Sequence, residues 1–379
     1  MFEHGRTSIR LARGDWGVKR GAGSKTAKLA DVAQLALVST ATVSRALTCP
    51  GKVKPATAAR VRQAVQALGY VAHGAARALA SRRTHTIGAV IPTLDNAIFA
   101  NTAHALQKTL DDAGYTLLLA SHEFDAEVEA RVTRALIERG VDGLVLLGTT
   151  HHPSVLRMVD MHQIPCVLTW ALEAAGRHPC VGFDNRAAAD RIARHLLDLG
   201  HREFAMISGI TSGNERAADR LSGVRHALAA RGIALDPARV VEKPYTLTAG
   251  REGLREVMRG SPRPTAVICG NDVLAIGALA ECLAQGLAVP RDVSVTGFDN
   301  LEMAAVVTPA LTTVHFPTAE LGSLAGQHLL AQLAGRQVEE RTELPVELVV
   351  RASTAAPRGD NSHHPVTFGA TPPQAGGER

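Results

Sequence analysis

The sequence predicts two unlike folded units, a small all-α head and a larger α/β body with parallel sheets. Three observations carry that prediction. A chain of 379 residues exceeds a single small domain. Residues 1–84 hold 15 Lys and Arg against three acids (Glu3, Asp15, Asp31), whereas the whole chain holds 41 against 36, so a basic head precedes an acidic body. Near Thr86 the hydrophobic pattern changes, from a helical repeat to short β-rich runs alternating with amphipathic helical stretches. A composition 46% hydrophobic and 20% charged suits a soluble protein with a sizeable core.

Residues 1–25 are rich in Arg and Gly and without periodicity, which predicts a disordered arm or a start placed too far upstream. Residues 26–72 read as a helix-turn-helix domain. Leu29, Val32, Ala33 and Ala36 share one face of a first helix, and Leu37 and Val38 make the turn. Ser39 is placed to cap a second helix near Thr42. Val43, Ala46 and Leu47 then face inward, leaving Thr40, Ala41, Thr42, Ser44 and Arg45 outward, where a recognition helix needs them. A third helix over 55–68 closes the small core with Val61, Val65 and Leu68. Residues 73–84 read as a hinge helix and linker.

Residues 85–353 form the body. Strands are expected at 87–92, 116–120, 143–147, 166–169, 204–207, 266–269 and 294–298. Helices are expected at 99–113, 126–139, 186–199, 216–230 and 273–285, each followed by a glycine suited to a left-handed cap. Such alternation gives parallel sheets with helices on both faces, and about 270 residues is long for one sheet, so two similar lobes are expected. Ligands of such folds sit beyond the carboxyl ends of the strands, here in a cleft between the lobes. Residues 354–379, rich in Pro, Gly and His, read as a disordered tail, with His363 and His364 lacking the further ligands of a metal site.

Other classes fit less well. No GxGxxG follows a strand, and GxxxxGK[ST], GxSxG and HExxH are all missing, so no enzyme is expected. Cys49, Cys166, Cys180, Cys269 and Cys282 form no CxxC pair and lie in or beside apolar runs, which predicts buried free thiols and no metal. Residues 1–23 lack the apolar stretch of a signal peptide, and no run of about 18 apolar residues occurs. Together with the basic head, this argues against a solute-binding protein of a transport system and for a cytoplasmic protein without membrane contact.

The segment running from Asp31 through Val38, Ser39 and Thr42-Val-Ser-Arg-Ala-Leu47, then Val53, Val61 and Leu68-Gly-Tyr70, resembles the head of the lactose/galactose-repressor (LacI/GalR) family. Residues 73–79 resemble that family's hinge helix and 84–89 its entry into a periplasmic-binding-protein-like sensor, so the resemblance spans roughly 28–353. It implies a DNA-binding transcription regulator, expected to be a repressor, whose affinity for double-stranded operator DNA follows a small polar effector: a sugar, a sugar acid or a purine-like molecule. No cofactor is implied. Two copies are expected to pair through the sensor lobes, the hinge over 75–80 folding on DNA. No leucine-heptad tail follows Ser353, which points to a dimer; induction and corepression both remain open.

By position the resemblance assigns base reading to Thr40, Ala41 and Arg45 and minor-groove insertion to Leu79. Thr42, Ser44, Lys52 and Lys54 suit phosphate contacts. It assigns effector contacts to Phe99, Trp170, Arg216, Arg220, Tyr245, Asn271, Asp299 and Phe316. Read without relatives, Arg220 is an ion-pairing helix residue and Asp299-Asn300 a turn or cap. Arg216 and Arg220 share a helix face at i, i+4, which points to an acidic effector. The chain departs from the family at Leu37, which replaces a turn glycine and is expected at positive φ, at Ala72, which replaces a proline, and at Gly74 within the hinge.

Overall fold

The computed structural model describes residues 27–71, 83–173 and 176–358. The chain divides into two compact units, residues 1–82 and 83–379.

In the head, α1 (Leu29–Leu35), α2 (Thr40–Thr48) and α3 (Pro55–Leu68) are joined by a tight turn and a 3₁₀ turn at Pro50–Lys52. Their apolar stripes meet in one core of Val32, Ala33, Ala36, Val43, Ala46, Val61 and Ala64, with Val65 and Leu68 partly buried at its edge. The Ser39 hydroxyl accepts from the Thr42 amide at 3.2 Å, satisfying one of the free donors that open α2. Leu37 takes φ 54° in the turn and leaves its side chain 84% exposed. A Cβ-bearing residue in that conformation costs roughly 1–2 kcal/mol that glycine would not. The hinge segment 73–80, Leu79 included, lies outside the described residues.

The body holds two parallel sheets. The first comprises β1 (Thr86–Ile91), β2 (Thr116–Ser121), β3 (Gly143–Leu147), β4 (Cys166–Thr169), β5 (Cys180–Gly182) and β11 (Arg341–Glu343), in the order β11-β5-β4-β3-β1-β2. The second comprises β6 (Phe204–Gly209), β7 (Val240–Lys243), β8 (Ala266–Cys269) and β9 (Ser294–Thr296), in the order β7-β6-β8-β9. Every pairing within these two sheets is parallel. A separate antiparallel pair, β10 (Thr313–His315) with β12 (Glu347–Val349), lies on the returning chain.

Helices α4 (Ala97–Asp112), α5 (Ala126–Glu138), α6 (Pro153–Met161) and α12 (Thr318–Leu333) serve the first lobe. Helices α7 (Asn185–Asp198), α8 (Glu215–Ala229), α9 (Leu247–Val257), α10 (Asp272–Ala284) and the short α11 (Glu302–Val306) serve the second. Because β11 and α12 return to the first sheet from late in the sequence, the chain crosses between lobes more than once. One continuous core runs from the first sheet through Phe183, Phe298 and Phe316 into the second, and separate cores cover each sheet's other face. Predicted helix-closing glycines take left-handed conformations, Gly114 at φ 77° and Gly200 at φ 97° among them.

Several boundaries differ from the sequence reading. Thr84 belongs to the body: its amide donates to Asp142 Oδ1 at 2.9 Å and its hydroxyl to the Gly140 carbonyl at 2.7 Å. The body also continues past Ser353. The Ala355 amide donates to Ser294 Oγ at 3.1 Å, its carbonyl accepts from His201 Nε2 at 2.9 Å, and Arg358 pairs with Asp292 at 3.4 Å. The strand expected at 294–298 stops at Thr296, because the next residues turn away with Asp299 at φ 115°. Cys49 is exposed rather than buried, whereas the other four thiols are buried.

Candidate functional site

The first candidate surface is the outward face of α2. Thr40, Ala41, Ser44 and Arg45 are exposed while Val43 and Ala46 hold the helix to the core, a division that follows from the 3.6-residue period. The helix carries no acid, and Lys52 and Lys54 are exposed beside it in sequence. Thr42 departs from its assigned place: it is half-buried and shares a 2.9 Å hydrogen bond with the Ser39 hydroxyl, so it serves the cap first.

The second site is a cleft at the carboxyl ends of both body sheets. Phe99, Trp170, Arg216, Arg220, Tyr245, Asn271 and Asp299 all line it. Phe316 does not. It is fully buried behind the wall, 5.3 Å from Trp170 and stacked on Phe183 at 4.1 Å, so it supports the ring that faces the cleft. Trp170 also meets Phe99 edge-on at 5.0 Å, and its indole nitrogen is buried with no hydrogen-bond partner among the described residues.

Arg220 is fixed on three sides. Nε donates to Asn185 Oδ1 at 2.9 Å, Nη1 donates to the Gly270 carbonyl at 2.8 Å, and the guanidinium lies 3.8 Å over the Phe298 ring. Asp299 Oδ1 stands 4.0 Å from Nη1, close enough for attraction and too far for a hydrogen bond. Burial pushes the Asp299 carboxyl well above its ordinary range, and Arg220 at that distance only partly opposes the shift. Asp272, whose side chain accepts from Thr313 Oγ1 at 2.6 Å and the Leu301 amide at 2.7 Å, is raised to about 7 by the same desolvation. Asn271 commits its Oδ1 to capping α10 through the Leu274 amide at 2.9 Å.

Arg216 is placed differently from Arg220. Its Nη1 donates to Glu215 Oε1 at 2.9 Å, and that oxygen also accepts from the Thr149 amide at 2.9 Å. Glu215 and Arg216 open α8 of the second lobe, whereas Thr149 follows β3 of the first, so these residues clasp the lobes together. Gly148 (φ 98°) makes the clasp possible: a Cβ there would stand 2.6 Å from Glu215 Oε1 and closer still to Arg216 Nη1. Beneath the same loop, His151 Nδ1 meets Glu129 Oε1 at 2.7 Å and Nε2 meets the Gly148 carbonyl at 3.1 Å. Burial raises the Glu129 carboxyl, but the hydrogen bond and charge of His151 outweigh it and hold Glu129 below the usual range.

The sequence reading named neither the clasp nor the His151–Glu129 pair, and it also missed Asn96, Phe124 and Asn214 on the cleft wall. Asn214 and Asn96 carry a legible signal, since both cap helices that open beside the cleft. Backbone strain gathers here too. Three of the eight described non-glycine residues at positive φ, Phe124, Trp170 and Asp299, line the cleft, as strain retained for a function would.

Comparison with known proteins bears on both units. Residues 28–73 match the family described as bacterial regulatory proteins, lacI family, and residues 193–354 match a periplasmic binding protein-like domain. The HTH-type transcriptional regulator GntR of Pseudomonas aeruginosa is 34% identical over 86% of this chain and 95% of its own length. The HTH-type transcriptional repressor CytR of Escherichia coli is 33% identical over 87% of this chain and 97% of its own. The crystal structure of the lac repressor dimer bound to operator and the anti-inducer ONPF superposes with a TM-score of 0.77 at 26% identity, covering 88% of this chain and all of that one (100%).

Proposed function

This chain belongs to the LacI family of DNA-binding transcription regulators, and from that premise we propose that it is a repressor whose hold on its operator is set by a sugar or sugar acid bound between the body lobes. The observation that carries the effector half is the convergence in one cleft of Arg220, on α8, with Asn271 and Asp299, which follow β8 and β9. Arg220 keeps a desolvated charge whose nearest carboxylate stands off at 4.0 Å, so ligand hydroxyls or an oxyanion would complete its coordination. A flat purine-like ring is the second reading, favoured by the Phe99–Trp170 pair at 5.0 Å.

On the head, Arg45 can donate two parallel hydrogen bonds to a guanine edge, while Thr40 and Ala41 offer methyl or hydroxyl contacts. Two copies would place two heads on a pseudo-palindromic site. No described helix is long and apolar enough to cross a membrane, and a cytoplasmic regulator is the reading we adopt.

The test is a gel shift on the protein's own promoter DNA with scrambled competitor, followed by titration with sugars, sugar acids and purines. A discrete, competitor-resistant complex that one such compound releases or strengthens supports the reading. Arg220→Ala should keep the complex and lose the response; a variant that still responds at the same ligand concentration removes Arg220 from the effector site.

A further inference from the structure

Two of the contacts that join the body lobes are the Thr149 amide on Glu215 Oε1, within the clasp, and the Phe124 ring 5.8 Å from that of Tyr245. His122 borders both. It follows β2 directly, its amide donates to the Ile91 carbonyl at 3.1 Å, and its ring meets that of Phe124 edge-on at 6.3 Å. On its other side the charge of Arg216, from the clasp, reaches the imidazole. His122 Nδ1 is buried and has no hydrogen-bond partner among the described residues. We propose that His122 is a proton-operated wedge between the lobes: when its ring gains a proton, the clasped arrangement gives way to one in which the lobes stand apart.

The hydrogen-bond inventory of the ring carries the argument. A neutral imidazole tolerates a buried Nδ1 as a bare lone pair, whereas in the protonated ring both nitrogens are donors. In the clasped arrangement that second donor would be charged, buried and without an acceptor, a costly combination. His151, close by, is the contrast. Its Nδ1 meets Glu129 Oε1 at 2.7 Å and its Nε2 meets the Gly148 carbonyl at 3.1 Å, so a proton on that ring finds acceptors where it stands. Of these two histidines, His122 is therefore the one whose protonated form the clasped arrangement rejects.

The charges around His122 give the direction. Burial pushes its imidazole below the ordinary histidine value; Glu129 opposes that, Arg216 and His151 add to it, and Glu123 opposes it. Glu129, His151 and Glu123 all belong to the first lobe and stay with His122 when the lobes part. Arg216 is the one that leaves with the second lobe, and parting also lets water reach Nδ1. Both changes favour the protonated ring, so acid favours separation. A tenfold difference in proton affinity between the two arrangements becomes up to tenfold in their ratio once the pH has fallen through both values.

Trp170 lines the cleft and is 2% exposed, so quenching of its fluorescence by acrylamide reads the parting of the lobes. Trp16, the second of the two tryptophans and outside the described residues, is replaced by Phe in every protein compared. The full chain is titrated from about pH 7.5 to 5, with circular dichroism verifying the fold throughout. The quenching constant should at least double across that range. His122→Gln, which keeps a neutral polar side chain, should lose most of the rise. Glu123 is exposed and favours the protonated ring, so Glu123→Gln at low ionic strength should keep the rise and move its midpoint to lower pH. An equal rise with and without His122 overturns the proposal, as does a constant that does not change with pH. A midpoint that stays or climbs in Glu123→Gln counts against His122 as the responsible group.

Discussion

Replacing Asp272 with asparagine should remove a defined part of the pH dependence of stability. The Asp272 side chain is buried under the Asp299–Leu301 loop, and desolvation raises its carboxyl from 3.8 to about 7 despite hydrogen bonds from Thr313 and Leu301. The folded chain therefore keeps this proton up to about pH 7, whereas the unfolded chain releases it near pH 4. Between those values the folded state binds more protons, so stability falls as pH rises, by about 1.4 kcal/mol per unit. The whole window of about three units is worth roughly 4 kcal/mol, and the part between pH 5.5 and 7 about 2 kcal/mol. Asparagine can reproduce both contacts, its amide nitrogen donating to Thr313 Oγ1 and its oxygen accepting from the Leu301 amide. Urea unfolding at pH 5.5 and 8.0 measures the difference. The variant should lose about 2 kcal/mol less than wild type between those pH values, a residual slope coming from Asp299, which is shifted in the same direction. Equal slopes for the two proteins would refute the burial argument.

Other predictions concern both units. Arg45→Ala should lower preference for operator over scrambled DNA by about 1–3 kcal/mol in a competition gel shift, while ligand-induced thermal shifts stay as in wild type; an unchanged preference removes Arg45 from base reading. If Lys52 and Lys54 hold phosphates, the affinity of two paired heads for operator should fall about a hundredfold between about 50 and 200 mM salt, and a flat salt response counts against them. Gly148→Ala combines a left-handed backbone with overlap against Arg216, and chemical unfolding should show a loss of about 1–3 kcal/mol; no loss would mean the clasp contributes nothing. Glu129→Gln keeps an acceptor for His151 Nδ1 but removes the charge, and should cost about 1–2 kcal/mol at neutral pH. Because Glu129 is held below its ordinary range, the wild-type advantage is full above the unfolded carboxylate value and is lost as pH falls from there through the lower folded value; an advantage that does not shrink on acidification contradicts the assignment.

The parts of this molecule that sequence disclosed are those fixed by local periodicity. The three head helices and the Ser39 cap each follow from residues within four positions of one another, whereas the positive φ of Leu37 is expected from the family resemblance alone. Local pattern also gives the strand–helix alternation of the body, where β3, β4 and β8 begin and end at the residues the pattern marked. Phe316 illustrates the limit. Position alone puts an aromatic near a cleft, but whether its ring faces the cavity or braces Trp170 from behind depends on Phe183, over 130 positions earlier in the chain. The anchoring of residues 354–358 was hidden for a similar reason, since it rests on His201 and Ser294 rather than on composition.

Charge pairing was the least legible feature, and the arginines show why. Arg216 and Arg220 sit one helical turn apart and look equivalent on a helical wheel, yet they meet different surroundings. Glu215 and the Thr149 amide, 66 positions apart, absorb Arg216 into a clasp between lobes, whereas Arg220 faces a carboxyl that burial has pushed toward its neutral form. Two arginines on one face therefore do not amount to two free charges for an acidic ligand. Arg220 is instead held by Asn185, the Gly270 carbonyl and the Phe298 ring, with the Asp299 carboxyl 4.0 Å away at the inner end of the cleft.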